Sequence, residues 1–244
     1  MNGTAHSSYS FLIYSLVSVV FLGETPTMGL CVLSLLFGMI PDIDGMYWKV
    51  KNKSKKTDNS FQHHLYYPTH WPITYTPLVA WTIITYFIDF YVPYFLALVV
   101  GIYGGHLLFD SISCGDGMNW LAPWGKKFVN LFSSTTDGYH GPYWSTRYRR
   151  TIFFKLENIA AIASILLLVI FYCLRPKNEI LLILGILVVA SNMIGGFMPI
   201  EKEYENEPPG GRYNDYRKLP EYQANLSAKQ KERIRNWEES HPIS

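Results

Sequence analysis

Hydrophobic residues are concentrated in six runs that polar segments separate. We interpret all six as helices, at residues 11–22, 29–40, 73–90, 93–109, 158–174 and 180–200. The last two runs approach the roughly 20 residues that span a bilayer. Between them lies the polar turn RPKN at 175–178, so the pattern predicts a membrane hairpin over 158–200.

The first two runs are shorter, with about 12 apolar residues each, and their length leaves three alternatives open. The alternatives are that these two runs form core helices, interfacial segments, or short membrane spans that are partly covered by protein. A related alternative concerns the whole chain: a globular helical domain from residue 1 to about 150, anchored only by the hairpin at 158–200.

The distribution of basic residues predicts an orientation. If all six runs cross the membrane, the N-terminus, the loop after residue 40, the segment after residue 109 and the C-terminal tail share one side. Of the 21 Lys and Arg residues, only Arg175 and Lys177 fall on the other side, which leaves 19 on the first, including the short basic segments 49–56 and 147–150. The positive-inside rule then predicts a multi-pass membrane protein whose N-terminus and tail face the cytoplasm.

Composition supports a membrane protein, because 49% of the residues are hydrophobic and only 16% are charged, against about a quarter charged in soluble domains. The net charge of +2 is too small to favour nucleic acid as a partner. Cys31, Cys114 and Cys173 are widely spaced, which predicts neither a disulfide framework nor a thiolate zinc site. No Lys or Arg precedes residue 49, so we expect the first run to be retained as a helix rather than cleaved as a signal.

The chain changes character after residue 200, which predicts a helical membrane domain at 1–200 and a polar cytoplasmic tail at 201–244. Ser227 and Gln230 have the spacing of a capping box, so we expect a short helix at about 228–239. A protein partner of the tail is not identified by the sequence.

Two polar residues interrupt the fourth apolar run. His106 and Asp110 are four residues apart on a predicted helix and therefore share a face, within reach of one metal ion. A buried His beside an Asp also forms a simple hydrogen-bonded pair, so this spacing alone does not decide between the two.

Further histidines and carboxylates occur in three other segments. Asp42 and Asp44, in the motif PDID, follow directly on the second apolar run. The segment QHHLYYPTHWP at 62–72 supplies three histidines within eight residues, and His6 comes just before the first run. The predicted topology places all of them on one side of the membrane. The candidate ligands are His6, Asp42, Asp44, His63 or His64, His70, His106 and Asp110.

This convergence of imidazole and carboxylate groups from four segments, without thiolates, predicts a metal site. We expect one or two Zn²⁺ ions, with Mn²⁺ as an alternative, since more than four candidate ligands are present. Asp116, Asp137 and His140 are weaker candidates that only their position supports.

The order of these motifs resembles that of the YdjM-like, LexA-regulated family of membrane-bound metal-dependent hydrolases. It comprises a histidine before a helix, then PDID, then histidines ending in Thr69-His70, then Gly105-His106 through Asp110 to Ser113 and a loop with Trp and Pro, all within residues 1–126. The family's usual H-R-G-x-T-H-S is altered here, because the Arg and Gly are missing and one extra residue separates His64 from Thr69-His70.

The chain is also distantly similar to zinc-dependent phospholipase C and related single-strand nucleases, which are helical. These resemblances imply an all-α, multi-helix integral membrane protein with metals held between helices. They imply metal ligands at His6, Asp42 or Asp44, His64 or His70, His106 and Asp110.

The function that we expect is hydrolysis of an ester or phosphoester, with phospholipid as one substrate class, by metal-activated water. Whichever of Asp42 and Asp44 is not a ligand would orient or deprotonate the water, and the other would ligate. Interfacial aromatics, Trp120, Trp124, Tyr139 and Trp144, and the lysine clusters would contact membrane lipid. Two other classes stay open: a metal-binding membrane transporter, and a non-enzymatic interaction protein that binds no metal.

Overall fold

The computed structural model is all-α, as predicted. It describes residues 3–51, 67–88, 91–113, 117–125, 129–131, 141–175 and 178–197, together with positions 235 and 239. Within these residues the helices are α1 (Gly3–Val17), α2 (Met28–Phe37), α3 (Ile43–Lys51), α4 (Thr76–Ile88), α5 (Val92–Val99), α6 (Leu108–Ser113), α7 (Gly141–Tyr148), α8 (Ile152–Leu174) and α9 (Glu179–Phe197).

Shorter helical turns extend or connect several of these helices. A π-helical turn, Ser18–Leu22, continues α1, and a longer π-helix, Val100–Leu107, joins α5 to α6. Three 3-10 turns, Ile40–Asp42, Pro68–His70 and Pro72–Tyr75, precede α3 and α4. Each of these 3-10 turns begins with proline at its first or second position, where the missing N–H costs nothing.

All six apolar runs form helices, and the structure changes mainly their bounds. The first helix begins at Gly3 rather than at residue 11, so His6 lies inside α1 and not before it. The helix of the fifth run, α8, begins at Ile152 rather than at residue 158. Thr151 caps it by accepting a hydrogen bond from the Phe154 N–H. The predicted polar turn at 175–178 separates α8 from α9.

Among the residues that the structure describes, three helical stretches are long and apolar enough to cross a membrane, judged by length and composition: Ala5–Leu22, Val92–Ile112 and Ile152–Leu174. Three shorter apolar helices accompany them, at Met28–Phe37, Pro72–Ile88 and Glu179–Ser191. The first apolar run has only about 12 residues. It becomes part of a candidate span because the polar residues before it, at the start of α1, are also helical.

The main core lies where α1, α2, α8 and α9 pack together. It is built from buried apolar side chains of all four helices: Phe11, Met28, Cys31, Leu35, Ala161, Leu168, Phe171 and Val189. At one end of this bundle the Arg175 guanidinium donates a hydrogen bond to the carbonyl of Thr25. The loop between α1 and α2 therefore lies at the same end as the turn between α8 and α9.

The π-helix Val100–Leu107 packs closely against α1. A Cβ at Gly105 would lie 2.5 Å from the Cα of Ser10, and a Cβ at Gly101 would lie 2.8 Å from the Ser10 Oγ. These glycines allow the two backbones to approach to a distance that a larger residue would not permit. The approach brings the His6 end of α1 beside His106.

Candidate metal site

Four separate segments bring five of the predicted ligands together at one end of the helices. His6 lies in α1, Asp42 in the 3-10 turn after α2, and His70 at the end of the turn Pro68–His70. His106 ends the π-helix Val100–Leu107, and Asp110 follows it in α6. The end of the bundle at which they meet is opposite to the loop between α1 and α2.

Each of the three histidines is fixed through its Nδ1 atom. The Nδ1 of His6 lies 3.0 Å from the carbonyl oxygen of Gly105, and the Nδ1 of His106 lies 2.7 Å from that of Gly38. The Nδ1 of His70 lies 2.7 Å from Asp44 Oδ2. Because carbonyl and carboxylate oxygens only accept hydrogen bonds, Nδ1 carries the proton in all three rings. Nε2 of the neutral ring is then a lone-pair donor to a metal.

The Nε2 atoms face one another and two carboxylates. His106 Nε2 lies 3.1 Å from His70 Nε2, 3.2 Å from Asp110 Oδ2 and 3.8 Å from Asp42 Oδ1. His6 Nε2 lies 3.2 Å from Asp110 Oδ1. With neutral rings, five groups that all present lone pairs converge on one small volume. Such a cluster needs a cation at its centre, as a metal ion or as additional protons on the rings.

The geometry is compatible with a metal ion and limits the number of extra protons that the rings can hold. The rings of His6 and His106 stack with centroids 3.7 Å apart, where two imidazolium charges would repel strongly in a buried site. The cluster contains two overlapping groups, His6 with Asp42 and His106, and His70 with His106 and Asp110, whose ligand atoms in each group lie within 4.8 Å of one another. Either group offers imidazole and carboxylate donors that suit a divalent metal.

Asp44 occupies a different position from Asp42, although the two are only two residues apart. The Asp44 carboxylate is buried, and its Oδ2 accepts from Thr69 Oγ1 at 3.0 Å as well as from His70. The Tyr75 hydroxyl donates to the Thr69 carbonyl at 2.6 Å, which holds this segment in place. Asp44 thus contacts the far side of a candidate ligand ring rather than the centre of the cluster.

The site opens at Asp42. The side chain of Asp42 is 30% exposed, whereas those of His6, His70, His106 and Asp110 are at most 2% exposed. Burial disfavours the Asp42 carboxylate, but the charge of His106 and a hydrogen bond from His70, when these rings carry an additional proton, outweigh that effect and hold the pKa of Asp42 below its usual range. Asp42 is therefore an ionised ligand candidate whose side chain is partly exposed.

A model of the YdjM inner membrane protein family matches residues 1–189. The chain belongs to this family. The matched region contains the whole cluster and the buried side chains of the main core. No curated protein and no solved structure matches the chain, so the distant similarity to zinc-dependent phospholipase C stays a prediction.

Membership of the YdjM family and three helices of spanning length show an all-α membrane protein. The family name describes an inner membrane protein and states no reaction. The residues that can hold a metal are therefore a finding of the structure, while the metal, the reaction and the orientation in the membrane are matters for proposal.

Several predicted residues lie outside the part of the chain that the structure describes. They are His63, His64, Asp116, Asp137, Tyr139, His140, and the Ser227 and Gln230 of the predicted tail cap. Within the predicted tail helix, Arg235 and Glu239 are helical, with Nε and Oε1 3.7 Å apart.

Sequence reasoning missed the backbone groups that fix the histidines. It named the side chains but not the carbonyls of Gly38 and Gly105, and it did not single out Thr69 as a partner of Asp44. One signal was available in the sequence: Gly38 lies four residues before Asp42, and Gly105 directly precedes His106.

Proposed function

We propose that this YdjM family member is a membrane-bound metal-dependent hydrolase that acts on an ester or phosphoester. One observation carries the proposal: three histidines with Nδ1 fixed by acceptors turn Nε2 toward two carboxylates at a site that one carboxylate opens to the outside. Fixing the rings from behind is the usual arrangement around catalytic and structural metals.

The proposed ligands are His6, His70, His106, Asp42 and Asp110. This set of imidazoles and carboxylates without thiolates suits Zn²⁺, with Mn²⁺ as the alternative. The two groups of ligand atoms share His106 Nε2, and one nitrogen lone pair binds one ion. They therefore describe alternative positions for a single ion, and a second ion would need further donors such as Asp44 or His64.

A bound Zn²⁺ would lower the pKa of water from about 16 to about 7 and would polarise an ester or phosphoryl oxygen. The chain's own residues do the rest. Asp42, at the opening, would ligate through Oδ1, which faces the imidazoles, and would orient the attacking water by accepting a hydrogen bond on its other oxygen. Asp44 is a positioning residue, since it holds the His70 ring by Nδ1 and is itself held by Thr69. The buried walls exclude bulk water from the remaining donors.

The first experiment measures tightly bound metal by elemental analysis of detergent-purified protein. We expect about one or two Zn²⁺ or Mn²⁺ ions per chain in the wild type, and loss of metal in His106→Ala and Asp110→Ala. Glu179→Gln changes an exposed carboxylate at the far end of the helices and serves as the matched control. Folding of each variant is checked by gel filtration and circular dichroism. A folded wild type that binds no metal even after reconstitution contradicts the proposal.

The second experiment tests the reaction with a water-soluble phosphodiester and a water-soluble carboxylic ester. We expect metal-dependent hydrolysis of at least one of them, and a loss of about 10²-fold or more in Asp42→Asn with the Glu179→Gln control unchanged. Metal binding without hydrolysis of any ester or phosphoester would favour a non-catalytic metal protein.

The proposed membrane orientation places the site and the tail at the cytoplasmic face of the inner membrane. It depends on the excess of Lys and Arg on that side, including the short segments 49–56 and 147–150. Membrane lipid is the expected partner, and nucleic acid is not expected.

A transporter is the second candidate, since His106 and Asp110 lie within the candidate span Val92–Ile112 and ionisable residues in spans commonly mark ion pathways. The two functions differ in a flux assay. Proteoliposomes with a metal-sensitive dye inside would show metal entry with a transporter and none with a hydrolase.

A further inference from the structure

The helix that follows the site, α3, exposes a row of large apolar side chains. Ile43, Tyr47 and Val50 are 55%, 58% and 79% exposed. Their spacing of four and three residues places them on one face of the helix. In water this row would be an unfavourable surface.

The position of α3 leaves this face uncovered by the described part of the protein. The helix packs mainly on the 3-10 turn Ile40–Asp42 that leads into it. Tyr47 also contacts the ring of Tyr67, with centroids 6.5 Å apart. These contacts fix the start of α3 and leave Val50, nearer its end, facing outward.

The charges beside the row indicate what covers it. Lys51 Nζ lies 5.9 Å from the centroid of the Tyr47 ring, and five of the eight residues at 49–56 are lysine, with no acidic residue among them. An apolar row on a helix that runs into a lysine-rich sequence is typical of helices that lie in the headgroup layer of an anionic membrane. A second copy of the chain is a poorer occupant, because it would add a second lysine-rich sequence of the same charge.

The helix also lies at the correct level of the molecule for such a contact. It begins one residue after Asp42, the exposed member of the cluster, at the end of the bundle where the candidate spans Ala5–Leu22 and Val92–Ile112 begin and finish. A helix at the end of membrane-spanning helices meets the headgroup layer of the same bilayer.

We propose that α3 lies in the headgroup layer of the leaflet at the site end, with Ile43, Tyr47 and Val50 in the lipid. The Asp42 opening is then held at headgroup depth, and the substrate of the proposed hydrolase is the ester or phosphoester of a membrane lipid that enters from the bilayer. The position of α3 is independent of the proposed hydrolase function, whereas the substrate class rests on that function.

The position of α3 is tested by spin labels on the full chain with Cys31→Ala, Cys114→Ser and Cys173→Ser as background. Labels at Tyr47→Cys and Val50→Cys are compared with one at Arg235→Cys, an exposed residue of the polar tail. The protein is reconstituted in vesicles of phosphatidylethanolamine and phosphatidylglycerol. We expect the labels on α3 to be more accessible to oxygen than to a water-soluble nickel chelate, and the tail label to show the reverse.

Two results would overturn this position. Greater accessibility to the nickel chelate at both α3 positions would place the helix in water. Spin–spin broadening at these positions that disappears on dilution with unlabelled protein would mean that a second copy covers the row.

The substrate class is tested with Tyr47→Ser/Val50→Ser, which removes two of the three apolar side chains of the row and no proposed ligand. We expect this variant to keep its metal and its activity on the soluble ester or phosphodiester, and to lose roughly tenfold or more of its activity on vesicle lipid. Equal activity on lipid and on the free headgroup phosphoester, unchanged in the variant, would assign a soluble substrate instead. If no ester is hydrolysed at all, the proposed function fails while the spin-label result still decides the position of α3.

Discussion

At the scale of single residues, the site depends on what lies behind each histidine. The backbone carbonyls of Gly38 and Gly105 and the carboxylate of Asp44 fix three Nδ1 atoms, so all three Nε2 atoms turn to the same centre. Because two of the three acceptors are backbone atoms, only Asp44 can be removed by substitution without moving the chain.

Asp44→Asn therefore tests the role of a positioning residue. An amide in place of the carboxylate weakens the hold on His70 and leaves every proposed ligand in place, so we expect metal affinity to fall by about 10- to 100-fold with an unchanged ratio of metal to protein at saturation. Competition with a chelator of known affinity measures the change, and Glu179→Gln is the control. Complete loss of metal from folded Asp44→Asn would instead make Asp44 a direct ligand.

A buried polar pair beside the site gives a second test at this scale. The Tyr148 hydroxyl donates to Glu157 Oε1, and both residues are buried. Tyr148→Phe takes this donor from a buried carboxylate, so we expect a loss of about 1–3 kcal/mol in stability. Tyr172→Phe removes the same chemistry at an exposed site, where the hydroxyl donates to Glu179 at 3.0 Å, and it should cost less than about 0.5 kcal/mol. Thermal unfolding in detergent compares the two, and equal losses would contradict the explanation.

At the scale of elements, the sequence predicted the helices better than their type. Apolar runs predict helices from hydrophobicity and length alone, which is why all six were found. The π-helix Val100–Leu107 was not foreseen, since its wider turns depend on packing against α1 and leave no local mark in the sequence. The pairing of His106 with Asp110 was still correct, because residues four apart stay neighbours on either kind of helix.

Two adjacent glycines test the contact between the π-helix and α1. A Cβ at Gly105 would meet the Ser10 Cα and Cβ at 2.5 Å, while a Cβ at Gly104 meets nothing closer than Ile13 at 3.7 Å. We expect Gly105→Ala to lose about 1–3 kcal/mol of stability through overpacking and to bind metal more weakly, since Gly105 also fixes His6. Gly104→Ala should be neutral or slightly stabilising because alanine favours helices.

The measurements for this pair are the melting temperature in detergent and the metal content of the folded fraction. A stable Gly105→Ala variant with normal metal would show that α1 and the π-helix can separate without affecting the site.

At the scale of the whole molecule, the alternation of runs explains why distant motifs meet. A chain that crosses back and forth returns to the same side after every second helix, so His6, Asp42, His70 and His106 were expected at one end from the order of the runs alone. The structure brings these four together. The sequence could not distinguish Asp42 from Asp44, because their different roles arise from the turn that directs one inward and the other toward His70.

The same alternation predicts which loops face which side, and the structure adds a constraint. The loop between α1 and α2 lies at the same end of the helices as the turn between α8 and α9, because Arg175 contacts Thr25. If the hairpin of α8 and α9 crosses the membrane, α1 and α2 cross it too, and a globular domain anchored only by that hairpin is disfavoured.

Single cysteines at Glu24 and Trp124 test this topology in a background that lacks the three native cysteines. Both residues are exposed, the first in the α1–α2 loop and the second in the segment after α6. We expect an impermeant maleimide to label Glu24→Cys in right-side-out vesicles and Trp124→Cys only in inverted ones, because the positive-inside rule places the site end in the cytoplasm. Labelling in solubilised membranes shows that both cysteines react. Labelling of both from the same side would mean that the three apolar runs between the two positions do not all cross the membrane. Exchange of the two results would mean that the site faces outward.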